Sequence, residues 1–308
     1  MAYAGLVPDE ISDHVPRGVA LAWGIAEAPQ RGPKREMSIE RIVEAAVEIA
    51  DAEGLTAVSM SSVAARLGFT TMSLYRYVTA KDDLLVLMNE EGVGLPPDHQ
   101  VPGEDWSSGL RRWLDSLKRA YEDHPWLLDI ALTGIPMTPN NLAWLDWGLR
   151  ILRPTSLSPS EAVGTVLMLS GMARWEGMIS RASSASEQRG EGVVLRELVT
   201  ADRYPDLFAA AATGVFDPSD RFDPYAFSIA RVLDGLTAYV QSRPATPPTP
   251  PEPIPPYARD AKIKEATQQR RDAESRLRDT RKREAELIQA AVAKAAREAA
   301  RARDGMVN

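Results

Sequence analysis

The sequence predicts an all-α protein: an N-terminal helix-turn-helix three-helix domain, a larger helical domain, a proline-rich linker and a charged C-terminal helix. Three observations carry this. Apolar residues recur at helical spacing in segment after segment from Ile39 to Val240, and strand alternation is absent. Residues 54–85, GLTAVSMSSVAARLGFTTMSLYRYVTAKDDLL, read as two short helices across a tight turn with a third starting at once. Residues 244–256 hold eight prolines in 13 positions, a break no folded domain would carry inside its core.

Composition sets the outer limits. The 308 residues are enough for two domains plus tails, and 44% hydrophobic content is enough for a core. No apolar run approaches the roughly 18 residues needed to span a bilayer, and the N-terminus lacks the pattern of a secretory signal. Cysteine is absent, which excludes disulfides, zinc fingers and thiol catalysis and makes a reducing cytoplasm the expected compartment. The formal net charge is −7, unevenly spread. Residues 257–308 carry 14 basic against 9 acidic residues, or +5, which leaves −12 on the rest. Attraction to a polyanion must therefore come from local basic groups or from the tail.

Residues 1–37 contain several Gly and Pro and no helical period longer than a turn, so a mostly irregular arm is expected. It ends in QRGPKRE, which places Arg31, Lys34 and Arg35 just before the first firm helix. That helix is predicted from about Ser38 to Glu53. Ser38 serves as N-cap, Glu40 sits in the first turn, Ile39, Ile42, Val43, Ala46, Ile49 and Ala50 form the apolar stripe, and Gly54 is the stop. Val63, Ala64 and Leu67 share a face of the next helix, and Leu74 and Val78 share a face of the one after it. Gly68 lies between them, where a helix end favours a residue tolerant of left-handed backbone. This is the sequence form of a helix-turn-helix, whose second helix enters the DNA major groove. A fourth helix starts near Lys81 with Leu84, Leu85, Leu87 and Met88, and closes a domain over 38–90.

Beyond it, helices are expected at about 104–122, 125–132, 139–152, 159–182, 192–212 and 223–242, which make a second domain over 104–243. Asn140, Ser158 and Asp223 lie near helix starts, as capping predicts. The linker 244–256 has polyproline II character and would span roughly 40 Å at about 3.1 Å per residue. Residues 257–304 are rich in Ala, Glu, Arg, Lys and Gln, so helix propensity is high. Their 3–4 positions are too often polar for a firm coiled coil. A solitary solvated helix, a weak partner-binding helix and a mobile basic clamp built on Arg281–Arg283 all remain open.

Residues 38–88 resemble the DNA-binding domain of TetR-family (tetracycline-repressor-like) transcriptional regulators. The resemblance rests on GLTAVSM, VAARLG, TTMSLYRYV and KDDLL, above all on the Leu-Tyr-x-x-Val element followed by a lysine that opens the next helix. It implies that Thr71, Met72 and Ser73 sit at the groove-facing start of the recognition helix, with Tyr75, Arg76 and Tyr77 on its exposed side. It further implies phosphate contacts at Tyr75 and Lys81 and a DNA-facing position at Ser61. Arg76 is the single charged residue from Phe69 to Ala80 and suits guanine O6 and N7. Met72 and the threonine methyls suit thymine. The competing reading makes Tyr75 and Tyr77 partly core residues; the resemblance favours DNA contact for Tyr75 and leaves Tyr77 open. Arg31, Lys34 and Arg35 are either a minor-groove arm or a solvated leader.

The larger domain holds most of the aromatics. The resemblance implies an effector site there, and Trp113, Trp126, Met137, Trp144, Trp147, Met172 and Trp175 are the candidates to line it; a tightly packed core is the competing reading. Arg174 and Glu176 either need partners inside or sit on the solvated face, and His124 at a helix junction reads as structural. The family pairs its last helices in a four-helix dimer interface. Val163, Val166, Leu167 and Ser170, with Ile229, Leu233, Leu236 and Val240, are the corresponding candidates, and Gly164 and Gly171 would permit close approach. The expected partners are a palindromic double-stranded DNA operator, a small apolar or amphipathic effector and a second copy of the chain, with no membrane, metal or cofactor.

An enzyme is disfavoured, since P-loop, GxSxG, HExxH and GxGxxG motifs are all missing and His14, His99 and His124 have no metal-ligand spacing. The alternative function is an architectural or scaffold protein with loose DNA binding and a partner-binding tail.

Overall fold

The computed structural model describes residues 15–25, 37–97, 101, 103–131, 134–189, 198–214 and 222–243, with backbone alone at 183–189, and the isolated positions 265, 269, 273 and 283. The described residues form ten α-helices and two 3-10 turns, with no strand among them. The chain divides into two compact units, Met1–Pro248 and Thr249–Asn308. In the second unit the four described positions are helical, and Gln269 Nε2 donates to Glu265 Oε1 at 3.3 Å, the i,i+4 spacing of a helix surface. The proline-rich linker lies outside the described residues.

The first helix, α1 (Arg17–Ala22), corrects the expectation of an irregular arm. Its six residues are too few to show a period, yet Gly18, Val19, Ala20 and Leu21 are all buried. Gly18 packs so closely that an added Cβ would lie 3.0 Å from the Asp83 Cα.

Helix α2 (Ile39–Glu53) begins as expected. Ser38 accepts from the Arg41 N–H, Glu40 occupies the first turn, and Ile42, Val43, Ala45, Ala46, Ile49 and Ala50 turn inward. After a 3-10 turn at Leu55–Ala57, α3 (Met60–Leu67) opens on a capping box. The Ser62 N–H donates to Ser59 Oγ at 3.0 Å, and the Ser59 N–H donates to Ser62 Oγ at 2.9 Å. Gly68 closes α3 at φ 75°, and the Phe69 N–H reaches back to the Ala64 carbonyl at 2.9 Å. That is a Schellman stop, and the left-handed backbone explains the glycine. Helix α4 (Thr71–Leu74) follows, then α5 (Lys81–Val93).

The larger domain contains α6 (Trp106–Asp123), a 3-10 turn at Pro125–Asp129, α7 (Pro139–Leu152), α8 (Pro159–Arg189), α9 (Pro205–Ala212) and α10 (Pro224–Gln241). Asp105 caps α6 and Asp223 caps α10. Two boundaries differ from expectation. Residues 125–129 form a 3-10 turn rather than an α-helix, and the helix expected over 192–212 is interrupted: Leu198 is helical, 199–204 are turn and irregular backbone, and α9 starts at Pro205.

Two cores result. Helices α2–α5 enclose Ile42, Val58, Val63, Leu74, Val78, Leu84 and Met88, and this cluster also takes in Trp126 and Leu127 from the 3-10 turn and Ile130 just after it. The second cluster sits between α6, α7, α8 and α10 around Trp113, Leu114, Trp144, Trp147, Val166, Leu169, Ile229 and Leu233. No helix among the described residues is long and apolar enough to cross a membrane.

Candidate nucleic-acid interface

Helix α4 owes its exposure to its own periodicity. Thr70 caps it, accepting from the Ser73 N–H at 3.3 Å. Helical bonding continues past Leu74, with Tyr75 N–H to Thr71 O at 3.2 Å and Val78 N–H to Leu74 O at 3.0 Å. Positions 74, 77 and 78 therefore share a face, and Leu74 and Val78 are fully buried. The opposite face carries Met72, 75% exposed, with Tyr75 and Arg76 also exposed and Thr71 and Ser73 half-buried beside them. Ser61, on the first turn of α3, and Lys81, which opens α5, are both exposed. Of the expected contact residues that the structure describes, all but one are exposed or half-buried, and that one is a correction. Tyr77 is only 8% exposed and belongs to the core of the reading head, because it stands three residues after Leu74 on the inward face. Arg31, Lys34 and Arg35 lie outside the described residues.

Two of these side chains are already partly engaged. The Ser73 and Thr70 hydroxyls are 2.9 Å apart, and the Ser61 and Ser59 hydroxyls are also 2.9 Å apart. Such contacts fix rotamers without consuming every acceptor and donor of a hydroxyl. Arg66 on α3 is paired with Glu48 at 2.7 Å, which removes one positive charge from this end of the domain. Arg76 and Lys81 then supply the positive charge of the surface.

The surface is tied to the larger domain through the 3-10 turn. Trp126 Nε1 donates to Asp51 Oδ1 on α2 at 2.6 Å, and His124 Nδ1 lies 2.8 Å from the same oxygen. Gly92 on α5 makes room for this indole, since a Cβ there would lie 2.7 Å from Trp126 Cη2. From the other side, the Arg174 guanidinium on α8 donates to the carbonyls of Leu127, Leu128 and Ile130 at 3.0, 2.8 and 2.6 Å. Arg181 pairs with Asp129 and donates to the Pro125 carbonyl. The orphan carbonyls at the end of a short helix thus find their donors on the longest helix among the described residues. Helices α5 and α7 are joined as well: the Asn140 N–H donates to Glu90 Oε1 at 2.8 Å, and Trp144 Nε1 donates to the Gly94 carbonyl at 3.0 Å. Trp23, just after α1, donates from Nε1 to the Met137 carbonyl at 2.7 Å. Asp51 and Trp23 had no signal in the sequence, because their partners are 75 and 114 residues away.

The aromatic candidates divide three ways. Trp113, Trp144 and Trp147 are buried together, with Trp113 Nε1 bonded to the Trp144 carbonyl at 3.1 Å, and Met172 packs against their cluster. Trp126 is corrected: its ring belongs to the core of the DNA-reading domain and its N–H to Asp51. Met137 and Trp175 are corrected too, at 55% and 63% exposed on the protomer surface. Of the dimer candidates, Val166, Ile229 and Leu233 are buried within the protomer. The open apolar face of α8 instead presents Gly164, Leu167, Met168, Gly171, Trp175, Met178 and Ile179, one stripe at 3–4 spacing.

Comparison with known proteins bears on this geometry directly. The family model "Bacterial regulatory proteins, tetR family" matches residues 42–88, and "Tetracyclin repressor-like, C-terminal domain" matches residues 99–240. The HTH-type transcriptional repressor DrrR1 of Streptomyces coeruleorubidus is 34% identical over 254 residues, covering 78% of this chain and 92% of DrrR1. The chain belongs to the TetR family. Among solved structures, Streptomyces coelicolor ActR in complex with actinorhodin is similar at a TM-score of 0.57 and 26% identity, over 67% of this chain and 98% of ActR. A single-residue variant of Acinetobacter baumannii TetR in complex with minocycline shares the fold alone, at 18% identity and a TM-score of 0.50, over 67% of this chain and 99% of that one. A TetR-family regulator is a DNA-binding protein and not an enzyme, and membership favours regulation over the scaffold alternative.

Proposed function

We propose that this TetR-family chain is a sequence-specific repressor that binds a palindromic operator as a homodimer and releases it when a small apolar or amphipathic molecule occupies the larger domain. Residues 38–90 are the reading head and 104–243 the effector and dimerisation domain. The carrying observation is the exposed set Met72, Tyr75 and Arg76, with the half-buried Thr71 and Ser73 beside them, the exposed Ser61 and Lys81 on the neighbouring helices, and the buried Leu74, Tyr77 and Val78 behind. Arg76 reads guanine and Met72 reads thymine, while Ser61, Tyr75 and Lys81 fix register on phosphates. Arg31, Lys34 and Arg35 would add minor-groove contacts ahead of the head. The exposed stripe on α8, with Phe227 and Tyr239 on α10, is the surface for the second copy.

Ligand response is supported by relatives: DrrR1 is named a repressor, and ActR has been crystallised with actinorhodin and with (S)-DNPA. The Trp113, Trp144, Trp147 and Met172 cluster supplies apolar surface for an effector. An effector can act only through a difference in affinity between the DNA-bound and free arrangements of the two heads. The contacts of Arg174 and Trp126 run from α8 to α2 and would carry that difference.

Selection of bound fragments from random genomic DNA tests this reading. The expected result is a shared palindrome whose half-sites lie about one helical turn apart. No enriched motif, together with binding lost at moderate salt, would overturn it.

A further inference from the structure

Three helices of the larger domain meet at a polar group set within apolar packing. Lys118 of α6 places its ammonium 2.9 Å from Glu176 Oε1 of α8 and 5.6 Å from the centre of the Tyr225 ring on α10. Glu176 is only 14% exposed at its side chain. Its second oxygen, Oε2, and the Tyr225 hydroxyl are both buried and without a hydrogen-bond partner among the described residues. Tyr121 and Tyr225 pack on the cluster of Trp113, Trp144 and Trp147. Native proteins seldom leave a buried carboxylate oxygen or a buried hydroxyl unmatched, so each such atom calls for a reason.

The charges around the group limit what could match them. Asp115, Glu122 and Asp223 act on Lys118 or Tyr225 together with Glu176. Arg174 also faces the group beside Tyr121, but its guanidinium serves the carbonyls of Leu127, Leu128 and Ile130. Among the described residues, Lys118 and Arg174 are therefore the two cations set against four carboxylates, which leaves the group with more negative than positive charge. Burial, and then the Glu176 charge, hold the Tyr225 phenol well above its ordinary range, so it stays a neutral hydroxyl. A ligand carboxylate would add a fifth negative charge. A ligand ammonium would be drawn to the acidic groups, and the contact Lys118 makes with Glu176 and the Tyr225 face shows the chemistry at work.

We infer that Glu176 Oε2 and the Tyr225 hydroxyl form the polar end of the effector site, and that the effector is an apolar, ring-bearing molecule carrying a protonated amine. The amine donates to Glu176 Oε2, the Tyr225 hydroxyl accepts a second N–H, and the rings lie against the Trp113–Trp144–Trp147 cluster. This rests on the reading of the larger domain as an effector domain.

The test uses the full chain and three matched probes: 1-naphthylmethylamine, naphthalene-1-methanol and 1-naphthoic acid. Affinity is followed by tryptophan emission and thermal shift at pH 7, and operator binding is measured on every protein. The wild type is expected to prefer the amine by about tenfold, the scale of one hydrogen bond to a charged group. Glu176→Gln is expected to bring that preference close to unity. Tyr225→Phe is expected to weaken the amine several-fold and, by removing an unmatched hydroxyl, to raise the melting temperature of the unliganded protein. A purely structural Tyr225 would lower it. Equal affinity for the three probes, preference for the acid, no binding, or an amine preference that survives in Glu176→Gln would each overturn the inference. A wild-type chain that holds no operator would sink the regulator reading; operator binding without amine preference would sink this inference alone.

Discussion

Trp126 Nε1 and Asp51 Oδ1 are 2.6 Å apart, the most direct polar contact between the core of the larger domain's 3-10 turn and the first helix of the reading head. The indole is 2% exposed, whereas the Asp51 side chain is 38% exposed and also meets His124. The ring and its N–H should therefore contribute unequally. Trp126→Phe keeps most of the ring and leaves Asp51 partly solvated, so a loss of about 1 kcal/mol is expected. Trp126→Ala empties a packed site and should cost about 3–5 kcal/mol. Urea unfolding of both variants checks the pair. Equal losses would show that the hydrogen bond, not the ring, dominates the junction.

The contrast between local and distant partners explains what could be read from the chain beforehand. Ser38, Gly68 and Asp223 act within a few residues of themselves, so these caps and stops and the reading-head core were legible from spacing, whereas the capping box at Ser59 emerged only from the structure. Tyr75 and Tyr77 look alike in sequence, and their opposite fates follow from which one stands three positions after Leu74. The larger domain was harder. Trp126 reads as one more aromatic of its own segment, and only the tertiary path shows that it packs into the other core. Val166, Ile229 and Leu233 were legible as an apolar face but not as the inward one, since α8 is apolar on two sides.

The recognition surface yields a graded prediction. Arg76→Ala should cost about 1–3 kcal/mol of operator affinity and relax specificity at its base pair. Lys81→Ala should weaken operator and random DNA alike and lower the salt slope by about one. Tyr77→Phe should leave operator affinity unchanged, since that ring is buried. Fluorescence anisotropy across a salt series separates the three. A large affinity loss in Tyr77→Phe with intact folding would return that residue to the interface.

The second copy should be lost by charge on the exposed stripe. Met168 and Trp175 are exposed on one face of α8, with the open Gly171 between them. A Met168→Glu, Trp175→Glu double variant places like charges against each other in a twofold interface. Sedimentation velocity is expected to show a monomer with native helicity and much weakened operator binding. Leu233→Ala, by contrast, should cost about 2–5 kcal/mol of stability, because its side chain is in the protomer core. A double variant that sediments as the wild type would place the dimer interface elsewhere.

Acid sensitivity should concentrate where α8 begins and α10 ends. Glu161 accepts from the Tyr239 hydroxyl at 2.6 Å, from Arg243 Nη1 at 2.7 Å and from the Ser158 N–H at 2.7 Å. These bonds, the Tyr239 hydroxyl foremost, hold its carboxyl down from 4.5 to about 2. A depressed carboxylate binds its proton less readily in the folded chain than in the unfolded one, so its contribution is complete above the ordinary value and fades as pH falls toward the folded one. Wild type and Glu161→Gln should therefore differ in melting temperature by a constant amount above about pH 4.5. Their curves should then converge as the pH approaches about 2. Exposure of this cluster to solvent keeps the difference small, and added salt should shrink it further. Curves that run parallel down to the acid limit would show that Glu161 holds α8 to α10 through shape and neutral hydrogen bonds rather than through its charge.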